Sequence, residues 1–271
     1  MPLSNEELRQ RLAAQEWTAH NIRLNSDITT MPGKPDFMET DTRLKAILRI
    51  LSFIYGDRIS GLRVADLGCL EGGFALALAQ RGLSVIALEA RRSNFEKPLL
   101  LKEHFSLSNL EVRQEDVKDF TLERFGRFDI VLALGILYHL DRPVDWLHQI
   151  AKLTRTVLII ESHYAPADER ALKLVDPGIS NLSALKQTEF ANATYEGRWF
   201  HEYAPGADRE SMPWAAYSNP SSFWLTKESL MLALMHAGFG LVLEQHDYSA
   251  PFHKLLTTTL SRGIFIALKN G

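Results

Sequence analysis

From Leu62 onward, short apolar runs alternate with helical stretches, and this alternation constrains the chain more than any other feature. "LRVADLG" reads as a strand and "GFALALAQRG" as a helix ending at Gly82. "SVIALEA" is a strand, and "NFEKPLLLKEHF" a helix that Pro98 interrupts early. "LEVRQEDV" is a strand, followed by a short helix near 119–125. "FDIVLALG" is a strand, and "PVDWLHQIAKLT" a helix with Pro143 in its first turn, where a missing N–H costs nothing. "TVLIIES" closes the series. Five strands with intervening helices predict an α/β fold, a doubly wound and mostly parallel sheet. Right-handed crossovers then line the strand C-termini along one edge, where open α/β sheets bind ligands.

The flanks are less regular. Residues 4–17 are expected to be helical, with Ser4 as N-cap and Glu7 completing a capping box. "NIRLNSDITTMPGKPDF" reads as an irregular connection, and its place before the first strand suggests a lid over a ligand. A second helix is expected from Asp41 to Tyr55, with Leu44, Ile47, Leu48 and Leu51 on one face. Residues 164–222 break the rhythm, and a stretch of that length is too long for a plain connection. They are expected to form a cap with helices around 166–174 and 181–189. "LTKESLMLALMHAGF" returns to helix with Thr226 as N-cap, and "LVLEQHDY" and "RGIFIALK" end the chain as strands. The expected organisation is a helical extension or lid over 1–56 and one α/β domain over 57–271 with its cap inserted.

Composition excludes several classes. The 271 residues carry 30 Lys and Arg against 33 Asp and Glu, so no basic excess marks a nucleic-acid surface. The single cysteine, Cys69, excludes an intramolecular disulfide and fits a cytoplasmic setting. "MPLSNEELRQRLAAQEW" lacks the apolar core of a signal peptide, and no apolar run approaches membrane-spanning length. Oligomeric state is not legible.

The chemistry concentrates at strand ends. "VADLGCLEGGFALALA" places a strand, a glycine turn and a helix in succession. Gly68 permits a tight turn, and Gly72 and Gly73 let backbone approach a ligand. The spacing G-x-x-x-G-G departs from the dinucleotide fingerprint G-x-G-x-x-G, which argues against a nicotinamide-dependent reductase. Asp66 precedes the first glycine by two residues. Glu89 ends the second strand about 20 residues on, where a carboxylate can accept from both ribose hydroxyls. Asp116 and Val117 follow the third strand, suited to an exocyclic amine and a ring face.

The runs "VADLGCLEGG", "ALEA", "QEDV" and "FDIVLALGILYHL" resemble class I S-adenosylmethionine (SAM)-dependent methyltransferases. The resemblance covers residues 62–164 and resumes in the last helix and two strands. It implies a Rossmann-like seven-stranded sheet with the last strand antiparallel, and SAM as methyl donor with S-adenosylhomocysteine (SAH) as product. It further implies that Asp66, Gly68 and Gly72 hold the methionine part, Glu89 the ribose and Asp116 the adenine. Cys69, Leu70, Ala90, Val117 and Leu134 complete that cofactor set. Leu70 stands where the family's loop has glycine. "GILYHLDRP" and "SFWLTKESLMLALMHAGF" are similar to the part of the superfamily containing the tRNA wobble-uridine carboxymethyltransferase.

Tyr138 and His139 follow the fourth strand, where the resemblance places the transferred methyl. A histidine titrates near neutral pH and suits removal of an acceptor's proton; the plainer role is ordering its loop. Glu161 and His163 end the fifth strand at the same edge. Trp199, His201, Trp214, Tyr217 and Trp224 make an aromatic cap that suits a planar or apolar acceptor or simply forms the cap's own core. Arg198 is a candidate partner for an anionic substrate group. No metal set is expected. These readings converge on a methyltransferase acting on a small molecule. A tRNA (carboxy)methyltransferase and a non-catalytic SAM-binding partner protein are the alternatives.

Overall fold

The computed structural model describes residues 3–169, 181–204, 206–246 and 261–270. Its strands form a seven-stranded sheet in the order β3-β2-β1-β4-β5-β10-β9 and a separate three-stranded sheet, β6-β7-β8, with ranges given below. The chain divides into two compact units, Met1–Val117 and Lys118–Gly271. Among the described residues no helix is long and apolar enough to cross a membrane.

In the first unit, α1 (Asn5–Ala13) begins at Ser4, whose hydroxyl and the Glu7 carboxylate form the expected capping box. The helix stops at Ala13, short of the expected residue 17. α2 (Thr42–Tyr55) starts on the Asp41 carboxylate, which accepts from the N–H groups of Arg43 and Leu44, and buries Leu44, Ala46, Ile47 and Leu51. The helix ends at Gly56, with φ of 61°.

Strand β1 (Arg63–Leu67) pairs in parallel with β2 (Ser84–Glu89), which pairs in parallel with β3 (Leu110–Gln114). Between β1 and β2 runs α3 (Gly73–Ala79), all of whose residues are buried. Such a helix reads apolar on every side because it has no solvent face. Between β2 and β3 lies α4 (Arg92–His104). Contrary to the expected interruption, Pro98 sits inside a continuous helix. Its ring has a packing reason to be there: a Cβ on Gly72 would lie 2.6 Å from Pro98 Cβ.

In the second unit, α5 (Leu122–Phe125) precedes β4 (Phe128–Leu134), and α6 (Pro143–Leu153) starts on Pro143 as expected. β4 runs parallel to β5 (Thr154–His163), which pairs antiparallel with β10 (Arg262–Lys269). β10 also pairs antiparallel with β9 (Phe239–Gln245). The expected last strand is β10; the tail of "LVLEQHDY" lies outside the described residues.

The inserted segment corrects the reading of 181–189 as helix. It is a three-stranded antiparallel sheet of β6 (Lys186–Phe190), β7 (Ala193–His201) and β8 (Ser221–Leu225). Of the helix expected over 166–174, residues beyond 169 lie outside the described set. β8 leads directly into α7 (Lys227–His236), whose Thr226 hydroxyl accepts from Ser229 N–H.

Candidate active site

The first unit holds the expected cofactor residues other than Leu134, at the turn from β1 to α3 and at the ends of β2 and β3. Gly68, Leu70 and Gly72 have φ of 72°, 53° and 78°, so every second residue is left-handed. Glycine adopts this at no cost, whereas Leu70 carries a penalty of about 1 kcal/mol or more. The strain is offset by a hydrogen bond from Leu70 N–H to Glu89 Oε2 at 3.0 Å. Leu70 thus holds a left-handed conformation that glycine would adopt freely.

Asp66 is 2% exposed, and its Oδ2 has no hydrogen-bond partner. Burial pushes its carboxyl up to about 7, partly countered by the Ala75 N–H and reinforced by Glu89. A buried acceptor left over is costly unless a donor arrives, and a ligand ammonium would satisfy it. Glu89, also buried, accepts from Arg91 N–H at 2.9 Å as well as from Leu70. Burial raises its carboxyl, and the Arg91 contacts oppose that. Ala90 follows β2, and its carbonyl accepts from the Gln114 amide at 3.3 Å. Asp116 is half-buried and Val117 buried just past β3. Cys69 is buried, and burial with Asp66 and Glu89 pushes its thiol well up, which suits packing rather than nucleophilic attack.

In the second unit, β4 ends at half-buried Leu134, and Gly135 turns the chain at φ of 77°. Tyr138 and His139 then sit in a short 3-10 turn, Leu137–His139. His139 Nδ1 lies 3.0 Å from Glu202 Oε1. Glu202, just past β7, was not identified in the sequence. Its carboxylate is 2% exposed and also accepts from Ser222 Oγ at 2.6 Å and Ala216 N–H at 3.0 Å. Burial pushes Glu202 up, but the His139, Ser222 and Ala216 contacts prevail and hold it below the usual range. An ionised Glu202 accepts a hydrogen bond from Nδ1–H, which leaves the His139 Nε2 lone pair available. The turn itself is tied to the insertion: Asn219 Nδ2 donates to His139 O at 3.0 Å, and Phe223 N–H to Leu140 O at 2.8 Å.

Glu161 and His163 do come together, through Arg262 at the start of β10. Arg262 Nε donates to Glu161 Oε1 at 3.1 Å, and its Nη1 lies 3.4 Å from His163 Nε2. His163 Nδ1 reaches Ser261 O at 3.2 Å, so both ring nitrogens are engaged. Burial and Arg262 lower His163 to about 4, which makes it a neutral wall residue. It stacks on Trp224 at 5.0 Å, Phe200 stacks on Trp224 at 5.0 Å, and Tyr138 meets His163 and Trp224 edge-on.

The remaining cap candidates fall elsewhere. Arg198 is fully buried and donates to the carbonyls of Pro166, Ser183 and Ala167. This corrects its reading as an anion partner: its charge is spent on ordering the insertion. Trp199 and His201 occupy the exposed face of β7, with Trp199 edge-on to Phe223 at 5.1 Å. Trp214 is exposed and Tyr217 half-buried, its hydroxyl donating to Glu210 at 3.3 Å.

Known proteins resemble this chain in sequence and fold. A family model described as a methyltransferase domain matches residues 38–244. A ubiquinone biosynthesis O-methyltransferase of Azotobacter vinelandii is 35% identical over 101 residues, 36% of this chain and 42% of that protein. Its counterpart in Acinetobacter baylyi is 29% identical over 87 residues, 32% of this chain and 37% of that protein. The matched stretch thus spans less than half of either relative. Among solved structures, the N-terminal domain of EvdMO1 in the presence of SAH and D-fucose superposes with a TM-score of 0.72 at 23% identity, covering 99% of this chain and 98% of that one. Magnesium protoporphyrin IX methyltransferase from Synechocystis PCC 6803 with bound SAM gives 0.53 at 16% identity, over 89% and 87%. With a family match over most of its length and the seven-stranded sheet order described above, the chain belongs to the methyltransferase-domain family.

Proposed function

We propose that this protein is a SAM-dependent methyltransferase that methylates a hydroxyl oxygen of a small-molecule acceptor. The observation that carries the oxygen assignment is the His139–Glu202 pair, a buried carboxylate holding an imidazole by Nδ1. A neutral hydroxyl is a poor nucleophile until its proton is removed, whereas amines and thiolates need less help. His139 Nε2 takes that proton, and Glu202 both selects the tautomer and stabilises the imidazolium that forms. The names of the curated relatives, both O-methyltransferases, support the same acceptor atom.

The donor site fits the residues present. Asp66 offers an unpaired buried oxygen to the ammonium of the methionine part, and Glu89 keeps lone pairs for the ribose hydroxyls. SAM, when bound, supplies an electrophilic methyl group on its sulfonium. The chain's task is then to bind, to orient and to remove one proton. Tyr138, Phe200, His163 and Trp224 supply aromatic surface beside His139.

The test begins with calorimetric titration of SAH into the full chain; no heat at millimolar ligand would end the donor assignment. Labelled SAM with panels of phenols, sugars and bulk tRNA then follows. Label in a small-molecule ether supports the proposal, and label in tRNA or on nitrogen refutes it.

A further inference from the structure

Four N–H groups of the glycine turn are already engaged within the protein. Cys69 N–H goes to Leu88 O at 2.8 Å, Leu70 N–H to Glu89 at 3.0 Å, and Gly72 N–H to Cys69 O at 2.8 Å. Gly73 N–H goes to His20 Nδ1 at 3.1 Å. A methionine carboxylate at this turn would therefore find those four amides already spent. A ligand carboxylate removed from water needs replacement donors.

His20 is the group positioned to be one. It arrives from more than fifty residues upstream and is 5% exposed. Its ring lies so close to the turn that a Cβ on Gly73 would stand 2.9 Å from its Nδ1 and from Met38 Sδ. It also meets Phe74 edge-on at 5.6 Å. Because Nδ1 accepts the Gly73 proton, Nε2 carries the ring's own hydrogen. Among the described residues Nε2 has no protein partner, and it is not one of the fully buried orphan atoms. Burial lowers His20 to about 4, with Glu71 and Asp41 opposing and Arg43 and Lys97 assisting, so the ring is neutral at pH 7.

The placement is enforced by a residue of the turn itself. Glu71 is fully buried, and its carboxylate accepts from three consecutive N–H groups: Thr18 at 2.6 Å, Ala19 at 3.1 Å and His20 at 2.7 Å. Lys97 Nζ balances the charge at 3.0 Å. Three successive amides around one anion hold that backbone in a single conformation. Thr30 Oγ1 donates to His20 O at 2.7 Å and fixes the other side of the residue.

We propose that His20 is a cofactor-binding residue whose Nε2–H donates to the carboxylate of the methionine part of SAM, and that Glu71 is its positioning residue. This rests on the reading of the glycine turn as the SAM cradle. Recognition of the donor's amino-acid end then includes the segment that precedes the sheet, and the irregular connection is part of the binding wall.

The test compares SAH with its decarboxylated analogue, which lacks only the carboxylate, by calorimetry and displacement on the full-length protein. In His20→Asn the amide oxygen replaces Nδ1 as acceptor for Gly73, and nothing replaces Nε2–H. The expected result is a Kd for SAH raised about tenfold or more, with the analogue within about twofold of wild type. His20→Gln, whose amide reaches toward the Nε2 position, recovers SAH binding in part. If the Asn variant melts far below wild type, the Gln variant decides: a partial loss of affinity for SAH with the analogue unchanged supports the proposal, and equal loss for both ligands or no loss for either overturns it. Equal weakening of both ligands in His20→Asn, or no weakening, also overturns it. So does a wild-type protein that binds SAH and the analogue equally. A wild type that binds neither brings down the cradle reading itself.

Discussion

His139 and Glu202 lie 63 residues apart in the chain, yet the Glu202 carboxylate sits 3.0 Å from His139 Nδ1. Two further donors, Ser222 Oγ and Ala216 N–H, hold that carboxylate in place. The pair joins the turn after β4 to the inserted sheet. Glu202→Gln keeps the shape and removes the charge, and the amide can turn its N–H toward Nδ1 and favour the wrong tautomer. Turnover is expected to fall about 100-fold, with the Kd for SAH changed less than about twofold. Steady-state kinetics beside calorimetry checks this; a parallel loss of both would make Glu202 a folding residue.

Asp66 predicts proton-linked binding. Its buried carboxyl titrates at about 7 against an ordinary 3.8, so between those values the empty protein holds a proton there that the unfolded chain has lost. That contribution to stability is present at low pH and disappears as pH rises through about 7. A ligand ammonium favours the ionised form, so binding near neutral pH releases a proton. The binding enthalpy of SAH should therefore vary with the ionisation enthalpy of the buffer, and affinity should fall below pH 7 by at most about tenfold per unit. Asp66→Asn should abolish the buffer dependence; its persistence would place the proton elsewhere.

His163 predicts acid sensitivity. Its folded value is about 4 against 6.5, so below 6.5 the unfolded state binds the proton first. Stability therefore drops as pH falls from 6.5 toward 4, by at most about 3 kcal/mol for this group, and less because solvent reaches part of the ring. His20, also lowered to about 4, adds a similar slope over the same window. Urea melts at several pH values should show His163→Gln flattening part of that slope. An unchanged slope would mean that the ring is protonated in the folded protein.

Arg198 predicts a stability defect without a binding defect. Its guanidinium satisfies three carbonyls in a fully buried position. Arg198→Met leaves those carbonyls without donors and should cost about 3–5 kcal/mol. Thermal melts should show the loss, while KM for the acceptor stays within about twofold in protein that remains folded. A selective rise in KM would restore Arg198 to the substrate site.

Gly72 predicts a steric defect. Its φ of 78° disfavours any side chain, and a Cβ would meet Pro98 Cβ at 2.6 Å. Gly72→Ala should destabilise by about 2–4 kcal/mol and weaken SAH binding with it, as urea titration and calorimetry would read. A melt unchanged from wild type would mean that α4 yields freely.

Sequence alone determined the features whose causes are local. Apolar runs of strand length placed β1 to β5, because a strand covered on both faces must be apolar at nearly every position. Ser4 and Glu7, Thr226 and Pro143 marked helix starts, because a cap satisfies N–H groups within the same turn. Glycines and acids at strand ends marked the candidate cofactor residues for the same reason: a tight turn needs its residue types in order. Tertiary structure alone decided the rest. "KQTEF" and "ATYEGRWFH" are half-exposed strands with mixed polarity, and only pairing with "SSFWL" makes them a sheet. Arg198 reads as a partner for an anion until its three carbonyls surround it. His20 and Glu71, like His139 and Glu202, are ordinary residues until a hydrogen bond between distant parts of the chain gives each a direction. Such a bond leaves no periodic trace, because neither partner's neighbours reveal the other.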